Sequence, residues 1–174
     1  AIVGAGGIGF DVAEFLTQDE SPTEDLEAWL LEWGVTDPAE HRAGLAPEGP
    51  QPSPPVRKVS LFQRKSERPG KRLGKTTGWI HRASLMMKGV EMVGGVTYRK
   101  IDGTGLHITR QDGTEAVVPC DTVVLCSGQL SDRSLADALE AKGRQVHVIG
   151  GADVAAELGA KRAIDQGARL AARL

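Results

Sequence analysis

Ala1-Ile2-Val3-Gly4-Ala5-Gly6-Gly7-Ile8-Gly9 is the stretch that decides the fold of this chain. Gly4, Gly6 and Gly9 fit G-x-G-x-x-G, the turn that carries a strand into a helix over the pyrophosphate of a dinucleotide. Each glycine has a mechanical reason. Gly4 permits the tight turn, Gly6 lets the backbone approach the phosphates, and Gly9 allows helix and strand to pack closely. The start of the helix adds free N–H groups and the positive end of a dipole. Only Ala1 to Val3 precede the turn, where a strand of about five residues is usual, and residue 1 is not Met. The chain therefore reads as a piece of a longer one.

The 174 residues suit one domain, or one domain with a fragment of another. With 40% hydrophobic and 25% charged residues, the composition is that of a soluble globular protein. Aromatics make up only 4%, so aliphatic side chains are expected to fill the core. The net charge of −2 hides an uneven distribution. Between Asp19 and Glu48 the charges are acidic apart from Arg42; between Arg57 and Lys88 they are basic apart from Glu67. A basic block can serve nucleic acid or a phosphorylated small ligand. Aromatics are few among these charges, which argues against nucleic acid, whose bases need stacking platforms. Cys120 and Cys126 make neither a disulfide framework nor a metal-site spacing. No stretch is long enough to span a membrane and no signal peptide is visible, which points to the reducing cytoplasm.

Beyond the fingerprint, Ile8 to Leu16 is predicted as the following helix, with Phe10, Val12, Ala13 and Leu16 supplying an apolar face. Residues 17–56 read as an insertion, acidic first and proline-rich later. Within it, Glu24 to Trp33 is a predicted short helix with Thr23 as candidate N-cap, Trp29 and Trp33 being packing residues. Lys58 to Gln63 restores the strand signal, Gly78 to Lys88 is a helix closed by Gly89, and Val90 to Val93 is a third strand. Three short strands follow, Val96–Ile101, Leu106–Arg110 and Glu115–Pro119, so a β-meander replaces the usual helical crossover. Thr122 to Cys126 has the composition of a buried parallel strand. A short helix near Ser134–Ala141, a last strand over Gln145–Ile149 and a helix from about Val154 to Leu174 complete the prediction.

The residue ending the second strand selects the cofactor: an acid takes the ribose hydroxyls of NAD, and an arginine takes the 2′-phosphate of NADP. With the insertion discounted, that strand ends at Gln63-Arg64-Lys65, without an acid. Arg64 can fork onto a phosphate and Lys65 adds a point charge, which favours NADPH. Gly70-Lys71-Arg72-Leu73-Gly74-Lys75-Thr76 misses the NTPase phosphate loop because position 69 is Pro where that motif needs Gly. His41, His81, His107 and His147 are scattered, without obvious carboxylate or nucleophile partners in the sequence, and no catalytic set stands out. That suits an enzyme in which the protein positions a cofactor's chemistry.

Val123-Val124-Leu125-Cys126-Ser127-Gly128-Gln129 resembles the strand-to-glycine crossover of two-dinucleotide flavoproteins, and Val146-His147-Val148-Ile149-Gly150-Gly151-Ala152-Asp153 resembles their C-terminal FAD motif. Gly74-Lys75-Thr76-Thr77-Gly78-Trp79-Ile80-His81-Arg82, with Gln63-Arg64-Lys65, narrows the match. It resembles the bacterial NADPH-dependent 2,4-dienoyl-CoA reductases, iron–sulfur flavoenzymes in the broad family of trimethylamine dehydrogenase. The resemblance covers essentially the whole chain. It implies an α/β fold: a Rossmann-like NADPH-binding domain over 1–129, with parallel sheet, β-meander crossover and the 17–56 insertion, then the closing strand and helix of an incomplete FAD domain over 130–174.

That family passes electrons from NADPH to FAD, through a [4Fe–4S] cluster to FMN, and so to a dienoyl thioester held in a (β/α)₈ barrel. The resemblance thus implies NADPH pyrophosphate at Gly4, Gly6, Gly7, Ile8 and Gly9, and the 2′-phosphate at Arg64 and Lys65. It implies FAD contacts near Gly128, Gly151 and Asp153. The barrel, the FMN site, the cluster cysteines and the first FAD fingerprint have no counterpart in these 174 residues. They are expected as partner domains of the same polypeptide, and the piece alone is not expected to turn over. The competing expectation is a non-catalytic adenine-nucleotide module of a related flavoenzyme, of the trimethylamine dehydrogenase or old yellow enzyme kind. Such a module has less use for Arg64 and Lys65.

Overall fold

Ile2 and Val3 form strand β1 (Ile2–Val3), and their side chains enter two different cores. A strand of period two, covered on both faces, requires this. The computed structural model describes residues 1–20, 24–156 and 160–174, in two compact units, Ala1–Ser127 and Gly128–Leu174. In the first unit β1 lies between β2 (Ser60–Phe62) and β7 (Val124–Leu125), and β2 pairs with β3 (Glu91–Val93) on its far side. All the pairings are parallel, in the order β3-β2-β1-β7, with Ile2 opposite both Leu61 and Val124.

Helices α1 (Gly7–Thr17) and α3 (Gly78–Met87) supply one cover of this sheet: Phe10, Ala13 and Leu85 pack with Ile2 and Leu61. The other cover is the meander β4 (Thr97–Asp102), β5 (Gly105–Thr109) and β6 (Glu115–Val118), whose Leu106 and Ile108 pack with Val3 and Phe62. The architecture is the expected α/β fold with a parallel sheet. Its core is mainly aliphatic, as composition suggests, with Phe10 and Phe62 as the bulkiest fully buried side chains.

The stretch between α1 and β2 leaves and returns at one point, where Val56 N–H donates to Thr17 O at 3.3 Å. Its helix α2 (Leu26–Trp33) is capped by Asp25, which accepts from Ala28 N at 3.0 Å; Thr23, the candidate cap, lies outside the described residues. Gly34 ends α2 at φ +64, a left-handed cap that glycine adopts without strain. The Trp29 and Trp33 rings pack at 6.4 Å, with Trp29 still 39% exposed. A buried ion pair fixes the segment to the core. Lys88 Nζ, just past α3, meets Glu32 Oε1 at 2.9 Å and donates to Ser53 Oγ at 2.7 Å and Ser53 O at 3.2 Å. These side chains are only 2% and 8% exposed for Lys88 and Glu32.

The second unit contains α4 (Ser134–Glu140) and α5 (Ala160–Ala171). Two expectations fail here. Gln145–Ile149 is not a strand, because a strand exists by pairing and this unit holds no second strand among the described residues. The last helix does not begin at Val154: residues 154–156 are non-helical, and 157–159 lie outside the described residues. The carbonyls of Val154 and Ala156 accept from the Arg162 guanidinium, a side-chain partner in place of helical N–H groups.

Candidate dinucleotide-binding site

The three fingerprint glycines have separable geometric roles. Gly4 sits at φ +114, and a Cβ there would overlap the Cys126 carbonyl at the end of β7. Its N–H donates to Phe62 O at 2.8 Å, so the turn is tied to both neighbouring strands. A Cβ on Gly9 would overlap the Gly4 carbonyl oxygen, so α1 leaves the sheet as closely as backbone permits. Gly6 and Gly7 differ: a Cβ on either meets nothing within 4 Å. Their missing side chains leave open space at the start of α1.

That helix start is chemically bare. Gly6 is the N-cap without a side-chain hydrogen bond, and no acid stands in the first turn. The first N–H groups of a helix lack intrahelical acceptors, and the dipole end is positive. Exposed Ile8 lies in the same turn. Open space above bare N–H groups fits a dinucleotide pyrophosphate.

One residue beyond the paired Val3–Phe62 register, at the same edge of the sheet, the chain leaves β2 through Gln63 into exposed Arg64 and Lys65. Among the described residues neither has a carboxylate within 4.0 Å. The nearby Glu67 pairs instead with Arg72 at 2.9 Å and Lys71 at 3.6 Å. Burial alone raises the Glu67 carboxyl, and these two cations outweigh it, leaving its pKa below the ordinary value. The loop is anchored further on, where Arg82 Nε and Nη2 donate to Pro69 O at 3.2 and 3.1 Å. Burial, then the nearby Arg68 charge, lower the Arg82 pKa. Tyr98 lies close enough for the Arg64 charge to act on its hydroxyl, which burial pushes up and which has no hydrogen-bond partner among the described residues.

In the second unit Gly128 is exposed at φ +142 with open space beside its α-carbon. Gly151 and Asp153 stand in a half-buried turn held by α5. The Gln166 amide spans that turn: its Oε1 accepts from Gly150 N at 2.7 Å and its Nε2 donates to Asp153 Oδ2 at 3.1 Å. Asp153 Oδ1 takes no hydrogen bond among the described residues. The structure thus groups Gly4 to Gly9 in one turn, sets Arg64 and Lys65 at the neighbouring strand end, and carries Gly128, Gly151 and Asp153 in the other unit.

Sequence reasoning missed the bonds from the Gln63 amide to Lys65 O and Glu67 O, the Gln166 amide, and two histidine–carboxylate pairs. His81 Nδ1 lies 3.0 Å from Glu14 Oε2, linking α3 to α1, and His107 Nε2 lies 2.9 Å from Asp102 Oδ1 across the β4–β5 turn. Hydrogen bonds from Lys100, Thr104 and His107 hold Asp102 far below the usual carboxylate range. The Asp102-Gly103-Thr104 turn signal could have found the second pair; nothing local announces the first. A hollow of about 620 Å³ lined by Arg99, Lys100, His107 and Val117 lies on the meander and includes none of the expected cofactor residues. Among the described residues no group of three or more His, Cys, Asp or Glu could hold a metal ion, and no helix is long and apolar enough to cross a membrane.

A family model described as pyridine nucleotide-disulphide oxidoreductase matches residues 1–161. The chain is 27% identical over 152 residues to a metal reductase of Desulforamulus reducens, covering 87% of this chain and 21% of that protein. Two solved structures share the fold at 17% identity over 99% of this chain. They are 2-naphthoyl-CoA reductase with 2-naphthoyl-CoA (TM-score 0.66, 20% of that chain) and histamine dehydrogenase from Rhizobium sp. 4-9 (TM-score 0.65, 22% of that chain). The chain therefore spans about a fifth of the length of the proteins it matches.

Proposed function

The chain belongs to the pyridine nucleotide-disulphide oxidoreductase family, and from that premise we propose that it is the NADPH-binding portion of a flavin-dependent oxidoreductase. The observation that carries the choice of NADPH is the end of β2, where Arg64 and Lys65 stand exposed in place of an acid, with no carboxylate paired to them among the described residues. A pair of cations there rewards the extra phosphate of NADPH and has nothing comparable to grip on NADH.

In this reading the fingerprint turn and the start of α1 take the pyrophosphate, and Arg64 and Lys65 take the 2′-phosphate. FAD, when bound, supplies the N5 atom that accepts hydride from the nicotinamide. The protein contributes orientation: holding both ends of the dinucleotide fixes where the nicotinamide lies, and such positioning supplies much of the acceleration in hydride transfer. Gly128, Gly151 and Asp153 are the flavin-side contacts. The larger enzyme is read as cytoplasmic and like 2,4-dienoyl-CoA reductase, acting on unsaturated fatty acyl-CoA in β-oxidation. FMN, a [4Fe–4S] cluster and a (β/α)₈ barrel then belong to parts beyond these residues.

The test is a titration with NADPH and NADH, on the chain and on the Arg64→Ala/Lys65→Ala variant. The expected result is a preference for NADPH of about 100-fold or more, lost in the variant while NADH binding is unchanged. Equal weakening for both nucleotides overturns the 2′-phosphate assignment.

A further inference from the structure

We propose that Gln63 and Gly94 are positioning residues that fix the loop from which Arg64 and Lys65 meet the 2′-phosphate, an inference that rests on the reading of this site as an NADPH site. Gln63 stands where an NAD-binding strand ends in an acid. Its side chain is committed to the loop that follows: Nε2 donates to Lys65 O at 3.0 Å and also to Glu67 O. Its backbone is fixed as well, with Gln63 N donating to Val93 O at 2.9 Å and Gln63 O accepting from Val96 N at 3.1 Å. The Lys65 carbonyl accepts a second bond, from Gly95 N at 2.8 Å.

Gly94 completes the lock from the turn between β3 and β4. A Cβ on it would lie 2.8 Å from Glu67 O and 3.0 Å from Lys65 O, so only a glycine lets the two turns close to this distance. The identity of Gln63 follows from the same geometry. A carboxylate there could only accept, leaving the Glu67 carbonyl without a donor and the Lys65 carbonyl with Gly95 N alone, and would repel the incoming phosphate. An amide of the same length donates to the carbonyls and carries no charge. Glu67, whose carbonyl is held, has its carboxylate engaged by Arg72 and Lys71 and so does not neutralise Arg64 or Lys65. The loop is ordered before the ligand arrives, and binding is spared the cost of ordering it.

Calorimetric titration of the chain with adenosine 2′,5′-bisphosphate and with 5′-AMP tests this, since the two ligands differ only in the 2′-phosphate. Gln63→Met removes the amide at nearly constant volume, and Gly94→Ala pushes on the two carbonyls without touching Gln63. For each variant the bisphosphate affinity is expected to fall about tenfold, the scale of one well-placed hydrogen bond. Binding of 5′-AMP is expected to stay at its wild-type value, with each variant still folded at the titration temperature. If both variants keep the wild-type preference while Arg64→Ala/Lys65→Ala loses it, the positioning role is overturned and the NADPH site stands. If both ligands weaken together, the residues are merely structural and the inference fails. A wild-type chain without preference for the bisphosphate overturns the NADPH reading, and this inference with it.

Discussion

Gly6→Ala and Gly9→Ala are one-carbon changes three residues apart, and the structure assigns them opposite consequences. At Gly9 the new Cβ overlaps the Gly4 carbonyl oxygen and stands 3.0 Å from the Gly4 carbonyl carbon. Non-bonded atoms settle at about 3.5–4.0 Å, so α1 or the turn has to move. Such overpacking costs about 1–3 kcal/mol, which lowers the melting temperature of a chain this size by about 2–12 °C. At Gly6 the Cβ meets nothing within 4 Å and φ is −86, a value alanine adopts freely. The stability change there is limited to about 1 kcal/mol, the preference for glycine over alanine at an N-cap. Binding reverses the order. A methyl on Gly6 occupies the space through which a phosphate reaches the helix N–H groups, and a charge-assisted hydrogen bond is worth about 1.5–3 kcal/mol. Gly6→Ala should therefore weaken NADPH by about 10- to 100-fold with little change in melting temperature. Thermal melts and fluorescence titrations of both variants decide the matter. A Gly6→Ala protein that binds within twofold of wild type, or a Gly9→Ala protein that melts with wild type, would refute the assignment of the two glycines.

Further predictions concern how the fold is held. Lys88→Met removes one partner of the buried pair with Glu32 and should cost about 3–5 kcal/mol in urea unfolding. Adding Glu32→Leu should recover much of that loss, and no recovery in the double variant would show that the pair is not the cause. Asp102 has a folded pKa far below its unfolded value, held there by Lys100, Thr104 and His107. Its contribution is fully present above the unfolded carboxylate pKa of about 3.9 and fades as pH falls toward the folded value. Asp102→Asn should thus flatten the acid limb of the stability profile and leave its neutral region parallel to wild type.

Much of the fold is local, and so was legible in the sequence. The fingerprint glycines need no distant partner to announce a strand, a turn and a helix, because positive φ and backbone crowding are properties of the turn itself. Hydrophobic runs marked the parallel strands, and Gly-rich turns marked the meander. The failures lay where an element depends on a neighbour. Gln145–Ile149 carries a strand pattern but no ladder, since pairing belongs to two segments and composition to one. The last helix starts later than its periodicity suggests, because the Arg162 side chain takes carbonyls that helix N–H groups would otherwise use.

The sequence by itself determined that a glycine turn opens a nucleotide-binding α/β unit and that the second strand ends in cations without an acid. Only the tertiary structure decided which contacts hold those features in place. Glu32 meets Lys88 across 56 residues, and the Gln63 loop closes on Gly94 from another strand connection. The physical reason is the range of the forces. A turn or a helix cap is set by atoms a few bonds apart, whereas burial and ion pairing act between whatever surfaces folding brings together.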